Sequence, residues 1–477
     1  MIRSDRMAAV DANAAALGVP RKQLMESSGN AVARAVRDVA ESGARVTIVA
    51  GRGNNGGDAF VAARFLDEYD IRVRLLGRAE TITTDIAREN WEALDEDEYD
   101  ATEVRDSRAL YLGDPDVVVD AMLGTGVTGA LREPEATAAE AIDDTDAIVV
   151  AVDVPSGVDA DTGEAASGAV TADHVVTFHD EKPGLGELDA GIRVADIGIP
   201  ATAERFVGPG DLRTNARDPH AAKGDSGRVL VIGGGPYTGA PALAGEASLR
   251  AGADLAFVSV PERVFEPIAG YTEDLIVQPY DADRLSPDQI GDLVDIATEH
   301  DDVVVLGPGL GTADETLEAV ERFLEEFEGR AVIDADALSV VPEVDTDATL
   351  VCTPNRHELA EMGGPDADDL RGATEGIESF AADLGHVVLA KASDDVISDG
   401  GTTRICRAGT PGMTVGGTGD VLAGITAAFL ATHDRLDAAC MAPYANGRAA
   451  ERLGGDGLLA SDLLDALPNA IRGDDAE

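Results

Sequence analysis

The sequence predicts an α/β protein built as two three-layer α/β/α domains. Short β-branched runs alternate with amphipathic helical stretches through both halves, the rhythm of parallel sheets covered on both faces. The rhythm lapses over residues 206–227 (FVGPGDLRTNARDPHAAKGDSG), a polar stretch rich in Gly and Pro that reads as a linker. The 477 residues suffice for two or three cores, and 44% of them are apolar, so the chain is globular.

In the first half, residues 45–50 (RVTIVA), 71–76, 117–120 and 147–152 (AIVVAV) read as buried strands. Helices are expected at 23–41, 58–69 and 134–144. After the lapse, strands are expected at 228–232, 255–260, 302–306, 331–334, 350–353 and 386–391, with helices at 240–251, 315–328, 420–431 and 437–453. No repeat relates the halves. Two different α/β domains are therefore expected, 1–213 and 214–477, the first Rossmann-like.

Ninety Asp and Glu against 37 Lys and Arg give a net charge of −53, and only Lys22, Lys182, Lys223 and Lys391 are lysines. Such a chain repels nucleic acid and anionic membranes, so neither is an expected partner. The acid residues are dispersed (DEDEYD at 95–100, DDTD at 143–146, DADD at 366–369). Dispersed acid over a normal core predicts a halophilic protein, whose self-repulsion concentrated salt screens. No apolar run reaches the roughly 18–20 residues that span a bilayer. The first residues lack the apolar core of a signal peptide, which predicts a cytoplasmic protein. Cys352, Cys406 and Cys440 have neither metal-type spacing nor the number for a disulfide framework, and the histidines show no paired ligand spacing.

Gly51-Arg-Gly53-Asn54-Asn55-Gly56-Gly57-Asp58 stands between a predicted strand and a predicted helix. Glycines there allow a tight turn and close approach of N–H groups to an anion, and the helix N-terminus adds its dipole. The stretch matches G-x-G-x-x-G, but a dinucleotide fold would end its second strand in an acid for the ribose. Here Leu76 is followed by Gly77-Arg78, against ordinary hydride transfer. Two more strand ends carry similar chemistry: Asp120, leading into Leu123-Gly124-Thr125-Gly126-Val127-Thr128-Gly129-Ala130, and Asp153, leading into Val154-Pro155-Ser156. Ligands of open α/β sheets bind at strand carboxyl ends, so Asn55, Asp120 and Ser156 could converge as hard oxygen ligands for a cation.

These motifs, with Leu24-Met-Glu-Ser-Ser-Gly29, resemble the NAD(P)H-hydrate epimerase domain over roughly residues 1–210. The resemblance implies that Asn54, Asn55, Gly56, Gly57, Asp58, residues Gly124 to Ala130, and Asp153 contact the hydrated nicotinamide nucleotide. It also implies that Asn55, Asp120 and Ser156 bind potassium. The family's usual MENAG is here MESSG. Asp153 is the expected proton-handling group, because inversion at the hydrated carbon needs ring opening or proton transfer.

In the second half Gly416-Gly417-Thr418-Gly419-Asp420 precedes an apolar helix. Glycine N–H groups before a helix form an anion hole for a transferring phosphoryl group, and Asp420 is placed as the general base for an acceptor hydroxyl. Gly233-Gly-Gly235, Gly307-Pro-Gly309-Leu-Gly311, Thr353-Pro-Asn355-Arg-His-Glu358 and Lys391-Ala392-Ser393-Asp394-Asp395 all follow predicted strands, where a shared cleft would form. No Walker A sequence is present, which excludes P-loop chemistry. The pattern resembles the ribokinase-like fold, and within it the ADP-dependent NAD(P)H-hydrate dehydratases, over roughly residues 214–470. The resemblance implies an ADP site at Lys391 to Asp395 and at the Gly416 to Gly419 loop, a divalent cation (magnesium), and substrate contacts at Ala240, Gly309, Asn355 and Asp420. Many family members carry histidine at the position of Asn355; His357 reads as a surface residue at a helix start.

Joined in one chain, the two resemblances imply a bifunctional repair enzyme. One half would interconvert R- and S-NADHX or NADPHX; the other would dehydrate the S form to NAD(P)H, turning ADP into AMP and phosphate. A homo-oligomer is expected. The nearest competing reading is a small-molecule kinase of the same fold, and a further one is a non-enzymatic scaffold.

Overall fold

The structure, a computed structural model, describes residues 1–96, 99–126, 129–212 and 220–472. It divides into two units, Met1–Ala203 and Glu204–Glu477. The expected boundary at 213/214 lies outside the described residues. The first residues of the expected linker belong to the second unit. Phe206 bridges to Ile405 and lies under Arg407, 3.8 Å from its ring centroid. Asp211 and Arg404, both buried, form an ion pair at 2.9 Å.

The first unit holds a seven-stranded sheet: β1 (Arg45–Ala50), β2 (Asp70–Leu76), β3 (Asp100–Val104), β4 (Val117–Ala121), β5 (Ile148–Val152), β6 (His174–Phe178) and β7 (Gly191–Ala195). Their order is β3-β2-β1-β4-β5-β6-β7, every pair parallel. Side chains alternate between two cores. Val46, Ile48, Val117 and Val119 pack under the helices Ser4–Ala16, Arg21–Val39, Asn54–Arg64 and Asp85–Glu96, whereas Val49 and Val118 pack with Glu135–Asp143. The chain reverses its winding between β1 and β4, which opens a crevice at their carboxyl ends.

The second unit holds nine strands: β8 (Arg228–Ile232), β9 (Leu255–Pro261), β10 (Ile276–Tyr280), β11 (Val303–Leu306), β12 (Arg330–Ile333), β13 (Thr349–Cys352), β14 (Val387–Ala390), β15 (Asp395–Ser398) and β16 (Thr403–Cys406). Their order is β10-β9-β8-β11-β12-β13-β14-β15-β16, parallel except that β15 runs antiparallel to both of its neighbours. Val229, Val231, Val303 and Val305 face one core, and Leu230, Ile232, Val304 and Leu306 the other. The switch point lies between β8 and β11. The helix Thr418–Leu430 is buried beyond its first turn, as an all-round apolar helix must be. A Cβ on its Gly424 would stand 2.0 Å from the Ala244 carbonyl oxygen, so glycine lets it pack closely on the helix Gly239–Ala251. Among the described residues no helix is long and apolar enough to cross a membrane.

Two candidate active sites

At the first switch point the helix begins at Asn54, four residues before the expected start. The glycines of NNGGD are thus helical. A Cβ on Gly56 would lie 2.2 Å from the Gly51 carbonyl oxygen, and one on Gly57 2.7 Å from Met25 Cε. They serve close packing of the helix rather than an open loop. Asn54 is exposed and accepts a bond from Thr84 Oγ1 at 3.0 Å. Asn55 Nδ2 donates to the Leu123 (3.0 Å) and Val152 (2.8 Å) carbonyls, tying the ends of β4 and β5 to the helix. Its Oδ1 faces Gly124, where a Cβ would come within 2.7 Å.

Asp120 is buried at the end of β4. Its Oδ1 accepts from Ser156 Oγ (2.6 Å) and Met122 N (3.2 Å), and its Oδ2 from Ser156 N (2.8 Å). Ser156 Oγ accepts from Leu123 N at 3.0 Å. Asn55, Asp120 and Ser156 therefore meet around Leu123. Burial pushes the Asp120 carboxyl up, against those hydrogen bonds. Among the described residues it has no cationic partner. A buried carboxylate without a counter-charge, beside amide and hydroxyl oxygens, fits a hard monovalent cation. Gly124, Thr125, Gly126, Gly129 and Ala130 lie in the loop that follows. Val127 and Thr128 lie outside the described residues.

Asp153, one residue past β5, has φ 66°, a left-handed conformation uncommon for residues other than glycine. Its Oδ1 accepts from Lys182 Nζ at 2.8 Å and from Thr177 Oγ1 at 3.0 Å. Lys182 is fully buried and also donates to the Phe178 carbonyl at 3.0 Å. Burial, reinforced by the charges of Asp153 and Asp11, holds the Asp58 carboxyl well above the ordinary range. Burial likewise pushes Asp11 to about 6, with Arg21 opposing. Sequence reasoning missed Lys182 and Asp11. The scarcity of lysine was a signal for the first; nothing marked the second.

At the second switch point the Gly233–Gly235 turn packs on the loop after β11, with Gly234 N donating to the Pro308 carbonyl at 2.9 Å. Gly307, at φ 130°, lies where a Cβ would meet the Asp334 carbonyl oxygen at 1.8 Å. Gly309 adopts φ 75°, and a Cβ there would be 3.5 Å from that of Ala240, so those two expected contacts are neighbours.

The centre is an ion pair that sequence reasoning did not find. Asp334, buried just after β12, accepts at Oδ1 from Lys391 Nζ (2.7 Å) and Thr353 Oγ1 (2.7 Å). Glu358 lies 4.0 Å from the same ammonium. Burial alone would lower the Lys391 pKa, but Asp334 and Glu358 overcome it and hold it raised. Gly417, at φ 99°, caps the helix, and a Cβ on Gly419 would stand 3.4 Å from Lys391 Nζ. Thr418 Oγ1 ties the loop down by donating to the Met413 carbonyl at 2.8 Å, and Gly416 is exposed. Asp420 follows in the first helical turn. Burial, then the Asp334 carboxylate, pushes it up to about 7, with Lys391 opposing.

Asn355 is joined to Lys391 by a backbone bridge. Its Oδ1 caps a helix, accepting from His357 N (2.9 Å) and Glu358 N (3.1 Å), and Asn355 N in turn donates to Glu358 Oε2 (2.7 Å). That capping box accounts for an asparagine at this position. His357 is exposed, as expected, 3.2 Å from Glu361. Ala392 and Ser393 are exposed; Asp394 pairs with Arg371 at 3.1 Å, and burial pushes Asp395 up to about 7.

Residues 21–184 match the family described as YjeF-related protein N-terminus, and residues 229–471 match NAD(P)H-hydrate dehydratase. A relative from Methanothermobacter thermautotrophicus, called bifunctional NAD(P)H-hydrate repair enzyme Nnr, is 41% identical, with 98% of this chain and 94% of that one covered. One of the same description from Pyrobaculum aerophilum is 42% identical, covering 99% and 98%. The chain belongs to the bifunctional NAD(P)H-hydrate repair enzymes. The first unit is its epimerase domain and the second its dehydratase domain. A ribokinase-like protein from Enterococcus faecalis is 24% identical with a TM-score of 0.50, covering 56% of this chain and 95% of that one, which shows the ribokinase-like fold of the dehydratase domain. In this repair enzyme each crevice thus lies where the open-sheet rule puts a ligand.

Proposed function

We propose that the first crevice interconverts R- and S-NAD(P)HX and that the second transfers the β-phosphoryl group of ADP to the ring hydroxyl of the S form. Elimination of phosphate then restores NAD(P)H and leaves AMP. The observation that carries this reading is the meeting of Asp420, Lys391 and Gly419 at one helix start. Asp420 takes the hydroxyl proton, Lys391 holds the ADP phosphates, and the N–H groups of the Gly416 to Gly419 loop receive the transferring group. Ala240, Gly309 and Asn355 line the substrate side, and Ala392, Ser393, Asp394 and Asp395 the nucleotide side. Hydroxide is a poor leaving group and phosphate a good one, which is why a kinase fold suits a dehydratase.

Among the described residues no three Asp, Glu, His or Cys side chains converge as an all-protein metal cage. Magnesium is usually held by one or two carboxylates plus phosphate oxygens. Glu358 is the carboxylate placed for that, and the ion would neutralise charge on the phosphates. In the first crevice Asn55, Asp120 and Ser156 would hold potassium, which would supply the counter-charge that Asp120 lacks. Asp153 handles the proton there, and Asn54, Gly56, Gly57, Asp58 and the loop from Gly124 to Ala130 form the nucleotide's walls.

Mixed NADHX epimers given ADP, magnesium and potassium chloride should recover full reduced-nicotinamide absorbance. Recovery that halts once the S form is consumed would refute the epimerase reading; no recovery would refute the dehydratase reading. Dehydration should also fall as pH drops through about 7, because the base must be ionised and Asp420 titrates there. A rate flat from about pH 6 to 8 would remove Asp420 from that role.

The −53 charge supports a salt-adapted surface. Raising potassium chloride from about 0.1 M to 1 M shortens the screening length from about 10 Å to 3 Å. The thermal midpoint should climb over that range and above it. A midpoint that does not move would dispose of the halophilic reading.

A further inference from the structure

Two of the four lysines of this acidic chain are carried inward to the two crevices, and the dehydratase reading uses only Lys391. Lys182 is left without a role. It is fully buried, and its ammonium spends its bonds on Asp153 Oδ1 (2.8 Å), the Phe178 carbonyl (3.0 Å) and, more weakly, the Asp180 carbonyl (3.5 Å). Thr177 Oγ1 adds a second donor to the same Asp153 oxygen at 3.0 Å. Two donors on Oδ1 leave Oδ2 without a partner among the described residues, on a side chain that keeps 12% exposure. A strained backbone at φ 66° holds the carboxyl there. A bare structural ion pair would need neither the strain nor the unpaired oxygen.

The charge of this carboxylate reaches Asp58, on the helix Asn54–Arg64, and Asp11, on Ser4–Ala16; Arg21, at the start of the next helix, and His179, just after β6, act in turn on Asp11. Asp58 is buried and has no hydrogen-bond partner among the described residues. Burial, and then the charges of Asp153 and Asp11, raise its pKa and so favour the protonated form.

We propose that Lys182 is the positioning residue that presents Asp153 Oδ2 as the base of the epimerase, and that Asp58 is the acid that works opposite it. This rests on the epimerase reading of the first crevice. Asp153 Oδ2 takes the proton of the C6 hydroxyl. The C6–O bond becomes a carbonyl as the C6–N1 bond breaks, and its electron pair goes to N1, which takes the Asp58 proton. Rotation about C5–C6 turns the other face of the aldehyde to N1. Closure returns one proton to Asp58 and the other, from Asp153, to the new hydroxyl. No oxidant, reductant or water is consumed, and the C6 oxygen stays on the sugar-bound ring throughout the cycle.

The test equilibrates pure S-NADHX with full-length enzyme, potassium and no ADP, in water enriched in oxygen-18. Wild type should form R-NADHX without gaining label, and one labelled oxygen per inversion would overturn the ring-opening route with its acid. Lys182→Met and Asp58→Asn should each lower kcat about 100-fold with KM within threefold. ADP-dependent dehydration of S-NADHX should be unchanged in both. A Lys182→Met enzyme that keeps wild-type kcat overturns the inference. Wild type that forms no R-NADHX refutes instead the reading beneath it. Trp91, the sole tryptophan, packs on Phe60 in the same unit (5.3 Å between centroids) and reports whether that unit has folded. If Lys182→Met fails that check, Thr177→Val decides: kcat about tenfold lower supports the inference, and wild-type kcat overturns it.

Discussion

Asp420→Asn should abolish ADP-dependent dehydration, lowering kcat by about 1,000-fold, within the range for loss of a general base. The amide keeps the size of the carboxyl and cannot take a proton. Binding of ADP should persist, because Lys391 and the loop N–H groups remain, and interconversion of epimers should be untouched. Loss of both activities would show that the two crevices are not independent. The same substitution should stabilise the second unit. Asp420 titrates at about 7 when folded against 3.8 ordinarily, so its ionisation opposes folding above the lower value, and fully above the higher. The thermal midpoint of Asp420→Asn should therefore exceed wild type at about pH 8 and match it near pH 3, where both states are protonated. A lower midpoint at the higher pH would mean that the carboxylate is better compensated in the fold than its neighbours Asp334 and Glu358 imply. Gain of stability with loss of activity is the outcome that would mark a catalytic group held in an unfavourable setting.

Asp120→Ala should remove potassium activation of epimerisation, with potassium affinity falling at least 10- to 100-fold. It should leave dehydration of pure S-NADHX within experimental error. The reason is local: Asp120 supplies the only negative charge among Asn55, Asp120 and Ser156, and its hydrogen bonds from Ser156 fix the serine as well. Potassium activation that survives the substitution would move the cation elsewhere. Dehydration that stops would overturn the division of labour between the two units.

Much of the fold was legible in local patterns. Buried parallel strands such as β1, β4, β8 and β11 are near-continuous apolar runs, and their expected bounds match the structure within a residue or two. The strands that went unread lie mainly at sheet edges. β3 (DATEV) and β7 (GIRVA) bury a single residue each, so no apolar pattern marks them. β15 and β16 have four residues each and run antiparallel, which the βαβ rhythm does not anticipate. The early start of the helix at Asn54 was hidden because Gly56 and Gly57 signal a loop by composition, whereas their role is to let Gly51 and Met25 come close.

The candidate sites divide along the same line. Glycine-rich turns and acids at strand ends are local features, and the motifs of each half lie within short stretches of chain, so the amino-acid sequence alone determined the fold class and the family. The pairs that charge the two crevices are not local. Asp153 meets Lys182 because β5 and β6 are neighbours, and Asp334 meets Lys391 because β12 and β14 end on the same side of one sheet. Asp11 reaches the first crevice from a helix that precedes the whole sheet. Only the tertiary structure decided these contacts, because a buried charge takes its partner from whatever strand order brings within hydrogen-bond reach, and strand order is written in no single stretch of the chain.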